Sequence, residues 1–133
     1  MEEMEKFLQE WTSDPTGSKE ILVRFYERLR AKKDVALDFK ARPGVTYSLR
    51  AAHANRTDHP LFVMVDVIDD DPDNRWLSVC FYGDMITDPH QLGDLIPDGL
   101  LGEDGYCFDI TESDEDLIAY VENRIEEAYT WAG

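Results

Sequence analysis

The sequence predicts an α+β domain: an antiparallel sheet of about five strands, packed on one face by helices from the N-terminal and C-terminal ends. Three observations predict it. Apolar residues recur at helical spacing only near the two ends of the chain. The middle alternates apolar and polar residues, as a strand with one dry and one wet side does. Short turn-forming stretches separate the alternating runs, and strands joined this way lie antiparallel.

The elements follow in order. Met4, Phe7, Leu8 and Trp11 share one helical face, so a first helix is expected over residues 2–12, ending before Ser13-Asp14-Pro15. A second is expected from Ser18, as N-cap, to Lys33, burying Ile21, Leu22, Phe25 and Leu29. Two strands follow over residues 34–52, joined at Pro43-Gly44, where proline presets one turn dihedral and glycine accepts the next. Val35, Leu37, Phe39, Val45, Tyr47 and Leu49 are assigned to the core; Lys40, Arg42, Ser48 and Arg50 project from the other side. Residues 53–59 read as a loop. Residues 61–68 are apolar on both faces over most of their length and read as a central strand. Residues 69–74, DDDPDN, form a turn, and residues 76–82, WLSVCFY, a fourth strand. Residues 83–105 read as a long irregular crossing with one helical turn at Asp88-Pro89. Tyr106, Phe108 and Ile110 suggest a short fifth strand. Acidic Ser113-Asp114-Glu115-Asp116 then opens a last helix to about Thr130.

At 133 residues the chain reads as a single domain, 1–133, with residues 1–17 as an accessory helix and linker. An apolar fraction of 43% argues against disorder despite a formal charge of -16. No apolar run is long enough to cross a bilayer, and MEEMEKFLQEW lacks the basic-then-apolar order of an export signal. The expected location is the cytoplasm, where Cys80 and Cys107, which could pair in principle, are expected as free thiols filling core space.

The charge is segregated. Residues 24–56 carry nine of the thirteen cations and a net +6, whereas residues 57–133 carry a net -18. On the hairpin, Lys40, Arg42 and Arg50 should share one face with Ser48 beside them. Two arginines and a lysine on neighbouring strands suit a carboxylate or phosphate, which arginine grips bidentately. The competing reading is that these cations pair with the acidic residues between Asp84 and Asp109. Asp69, Asp71 and Asp73 have the spacing of a calcium loop, but Asn74 stands where glycine is needed and Cys80 where a glutamate is needed, so a solvated turn is the expectation. His53, His59 and His90 lack zinc-site spacing. No nucleophile or phosphate-loop motif is present, and the carboxylates read as a solvated face. No metal site, no cofactor and no catalytic residue is assigned.

The segments FYERLRAKKDV, ARPGVTYSLR, WLSVCFYGD and ENRIEEAYTW, in this order, resemble the YdhG-like and MmcQ/YjbR-like small α/β proteins of the frataxin-like fold group. The resemblance covers about residues 18–133 and implies an antiparallel sheet backed by helices from the chain ends. Frataxin handles iron through an acidic first helix and strand edge; here the helix before the hairpin is basic, so that role is not carried over to it. Some YjbR-like proteins are described as nucleic-acid-binding, which a charge of -16 opposes.

Two function classes follow, with an enzyme as a third option that no constellation of residues supports. One is a non-enzymatic interaction or ligand-binding module whose basic sheet face meets a protein partner, an acidic peptide or a small anion. The other is an acidic protein that handles metal, as frataxin does, or mimics nucleic acid. A membrane partner and direct DNA binding are not expected. A homodimer through Trp76 and Tyr82 is a further option for a flat, apolar-rimmed face.

Overall fold

The computed structural model describes residues 1–56 and 58–133. Helices α1 (Glu2–Glu10) and α2 (Ser18–Arg30) precede strands β1 (Val35–Arg42), β2 (Thr46–His53), β3 (Val63–Ile68) and β4 (Trp76–Phe81). A single 3-10 turn (Gly83–Met85), strands β5 (Asp94–Leu100) and β6 (Glu103–Ile110), and helix α3 (Glu115–Ala132) complete the chain. The sheet is antiparallel throughout, in the order β1-β2-β3-β4-β6-β5.

Alternation along each strand becomes two opposed rows across the sheet. Phe39, Leu49, Val65, Val79 and Phe108 are register partners in turn, and all are buried beneath the helices. Their burial is worth about 10 kcal/mol before entropy is subtracted. One residue along, the row reads Lys40, Ser48, Asp66, Ser78, Asp109 on the opposite face. A slip of one residue would exchange the rows, so the hydrophobic pattern fixes the register.

The sheet has six strands rather than five. The extra one, β5, lies in the stretch read as irregular. Pro97 and Gly99 interrupt its pattern, and Leu95 and Ile96 stay exposed because β5 is an edge strand held only by β6. Gly93, just before it, leaves no room for a side chain: a Cβ there would lie 2.5 Å from the Tyr106 ring. The expected turn at Asp88 has a stronger cause than a helix. Its carboxylate accepts from the Tyr120 and Tyr106 hydroxyls and from the amides of Leu92 and Gly93. Burial opposes the Asp88 charge, but these donors outweigh it and its pKa lies below the usual value.

Several local expectations are corrected. Val45 is exposed and Val35, Leu37 and Tyr47 are only half-buried, because the β1–β2 hairpin lies at the sheet's edge. The cap of α2 is Gly17 in a left-handed conformation; the Ser18 hydroxyl instead bonds the Arg75 carbonyl at 3.0 Å. Helix α1 ends at Glu10 and α2 at Arg30. Asp114 caps α3 as expected, accepting from the Leu117 amide.

Cys80 and Cys107 are not free thiols. They face each other across β4 and β6 with Cα atoms 4.1 Å apart and form a disulfide. The expectation of free thiols rests on compartment and on core filling; the register that makes the cysteines neighbours depends on two strands that are not consecutive.

The acidic turn is not wholly solvated either. Asp69 is buried, takes the Arg75 guanidinium at 2.7 Å and accepts the Gly44 amide at 2.8 Å. Arg75 also lies over the rings of Phe7, Trp11 and Tyr47. One cation thus ties α1, the hairpin turn and the 69–74 turn together.

Helices α2 and α3 meet along an ionic seam. Arg24 bonds Glu115 and the buried Glu122, Arg28 bonds Glu122 and Glu126, and Lys32 reaches Glu126 at 2.5 Å. Among the described residues, no helix is long and apolar enough to cross a membrane.

Candidate functional site

Strand parity puts the four candidate residues on the sheet face away from the helices. In register, Lys40 lies opposite Ser48, Arg42 opposite Thr46, and Arg50 opposite Asp38. The expected grouping is therefore present. Its depth is not uniform: Lys40 and Arg42 are exposed, Arg50 is half-buried, and Ser48 is only 2% exposed. Parity assigns a face, and depth comes from what surrounds it. Ser48 sits inside the row between Lys40 and Asp66, with Arg50 donating Nε to its hydroxyl at 3.1 Å.

The acid facing these cations is Asp66, beside Ser48 on β3. One of its oxygens is buried without a hydrogen-bond partner among the described residues. Burial lifts its carboxyl above the usual range; the Ser48 hydroxyl and the charges of Arg50 and Arg42 counteract this only in part. Asp66 was missed as a site residue, although it is the sole charged residue in the run from Leu61 to Ile68.

The competing expectation, pairing with residues 84–109, does not describe these cations. Lys40 contacts Asp38 of its own strand at 3.6 Å, and Arg42 donates to Thr46 at 3.2 Å. Of the eight arginines, Arg24, Arg28, Arg30, Arg56, Arg75 and Arg124 each have a carboxylate within 4.0 Å. Among the described residues, Arg42 and Arg50 have none.

Arg50 also borders a cleft of about 230 Å³, walled by Ala36, Asp38, Ala52, Pro60 and Leu61 and by Leu101 from the β5–β6 turn. That turn is tight, with Leu101 and Gly102 both at positive φ, 52° and 85°. The Leu101 side chain remains 46% exposed at the cleft. The face thus combines a half-buried guanidinium, a second exposed one, a hydroxyl and an apolar wall. Toward β4 and β6 it becomes dry, with Met64, Cys80, Cys107 and Tyr82 all buried.

Tyr82 is only 3% exposed and Trp76 is half-buried, so of the two anchors expected for a dimer face only Trp76 keeps exposed surface. His59 stacks on Tyr82 at 4.0 Å, with Asp84 and Glu103 at 3.5 and 3.9 Å from its ring nitrogens. Burial, then the neighbouring Glu103 and Asp84 charges, push the Tyr82 hydroxyl up to about 12. Asp71 serves its own turn, accepting from Asp73 and Asn74. Among the described residues, no group of three or more His, Cys, Asp and Glu side chains is arranged to hold a metal ion. No family model, curated protein or solved structure matches the chain.

Proposed function

We propose that the protein is a non-enzymatic binding module whose open sheet face receives an anionic group, the carboxylate of an acidic peptide or partner or a small anion, between Arg42 and Arg50. The single observation behind this reading is that, among the described residues, these two arginines have no carboxylate within 4.0 Å, whereas the other six arginines each have one. With 29 acidic residues in the chain, carboxylates are abundant. Two guanidiniums beside a poorly solvated aspartate hold a local positive field that favours an incoming anion. Lys40 extends the field at the rim, Ser48 holds Arg50, and the cleft beside Arg50 accepts the apolar part of the ligand.

The test is a nuclear magnetic resonance titration of the full chain with inorganic phosphate and, separately, with a pentaglutamate peptide. The expected result is saturable shifts at Arg42, Ser48 and Arg50 that disappear in Arg42→Glu/Arg50→Glu. Shifts to phosphate alone indicate a small-anion site, and shifts to the peptide indicate an acidic partner. No shifts with either probe, or equal shifts in the double variant, would rule the reading out.

A further inference from the structure

The two edges of the sheet are built differently. Edge strand β5 carries Pro97 and a register break between Ile96 and Leu100, both features that deter pairing with another strand. Edge strand β1 has neither: its register with β2 is unbroken over eight residues. The Ala54 amide donates to the Asp34 carbonyl, which sets the parity of the ladder: even-numbered residues of β1 bond to β2. Val35, Leu37, Phe39 and Ala41 therefore turn their amides and carbonyls outward. The Phe39 amide is met only locally, by the Asp38 carboxylate at 2.9 Å.

The sequence VALDFKAR is self-complementary about Phe39. In an antiparallel copy with its two-fold axis at Phe39, Asp38 lies opposite the second copy's Lys40, and Lys40 opposite its Asp38. The same register sets Leu37 opposite Ala41. Beside Ala41, on the helix side, is a cleft of about 250 Å³ walled by Lys6, Phe7, Phe39 and Tyr47. Leu37, half-buried and on that same side, is delivered to the mouth of the second copy's cleft.

We propose that β1 pairs edge to edge with β1 of a second copy about this axis, so that one antiparallel sheet runs through both. On pairing, the Phe39 amide passes from Asp38 to the second copy's Phe39 carbonyl, and Asp38 turns to the second copy's Lys40. In the single chain Asp38 occupies both groups itself, bonding the Phe39 amide and contacting Lys40 at 3.6 Å.

Sedimentation velocity on the full chain, from micromolar to several hundred micromolar, tests this. The wild type is expected to form a dimer. Lys40→Asp sets carboxylates opposite one another on both sides of the axis and weakens association by about tenfold; Asp38→Lys does the same with ammonium groups. The combined Asp38→Lys/Lys40→Asp chain regains the dimer. Ala41→Glu, which leaves the basic face intact, also weakens it by placing a charge at the cleft mouth. Both charged side chains are well exposed, 62% and 58%, so the variants keep the fold, which circular dichroism checks. A wild type that stays monomeric throughout, or a dimer indifferent to Lys40→Asp and Ala41→Glu, overturns the proposal.

Discussion

The α2–α3 seam and the open sheet face both gather cations, and they use them in opposite ways. In the seam, Arg24, Arg28 and Lys32 are matched by Glu115, Glu122 and Glu126, so the charges hold two helices together. On the face, Arg42 and Arg50 stand near Asp66 with no carboxylate within 4.0 Å among the described residues. A cation whose partner lies inside the fold contributes to stability. A cation left without one contributes little to it, and the proposed anion site rests on that difference.

The largest expected effect separates them on the seam side. Glu122 is 5% exposed and accepts from both Arg24 and Arg28, so Glu122→Ala leaves two guanidiniums without their shared acceptor. Chemical denaturation should show a loss of about 2 kcal/mol. A loss no larger than that of an ordinary surface substitution would show the seam to be ornamental.

The second effect is a difference in sign with pH. The Arg24 bond holds Glu115 below the usual carboxylate range; for Glu126, burial is outweighed by the bonds from Lys32 and Arg28, with the same result. Depressed carboxyls contribute stability that is present above their unfolded pKa and lost as pH falls through the folded values, so the seam weakens below about pH 4. Asp66 runs the other way. Its raised pKa means that the charged form is disfavoured by folding, so its best contribution comes below the unfolded pKa and is lost as pH rises through the folded value. Asp66→Asn is expected to stabilise the protein by about 1 kcal/mol at pH 7, with the gain fading toward pH 3. Denaturation midpoints at both pH values check this; a destabilised variant at pH 7 would mean that the Arg42 and Arg50 charges outweigh burial.

These residues also mark what could be read from the chain. Alternation in residues 35–42 and 46–53 was enough to put Phe39 and Leu49 inside and Lys40, Arg42 and Arg50 together on the other side. It does not give depth: Ser48 belongs to the polar side by alternation, yet it is enclosed between Lys40 and Asp66. Asp66 was hidden because its neighbours are apolar, and the strand was read as buried on both sides. Strand β5 was hidden because Pro97 and Gly99 break the pattern and pairing with β6 supplies what local sequence does not. The pairing of Cys80 with Cys107 depends on β4 lying next to β6, a topology that no spacing encodes.

The smallest effect on stability is expected at the two arginines without carboxylate partners, and it carries the most direct test. Arg42→Ala/Arg50→Ala should unfold within about 0.5 kcal/mol of wild type in phosphate-free buffer: the Arg50–Ser48 bond and two charges that favour ionised Asp66 are lost, but no carboxylate within 4.0 Å is. Added inorganic phosphate should then raise the melting temperature of the wild type, because a ligand that binds only the folded state stabilises it, and leave the double variant unmoved. Equal unfolding without phosphate together with a phosphate response only in the wild type is the predicted result; an equal response in both chains would contradict the account.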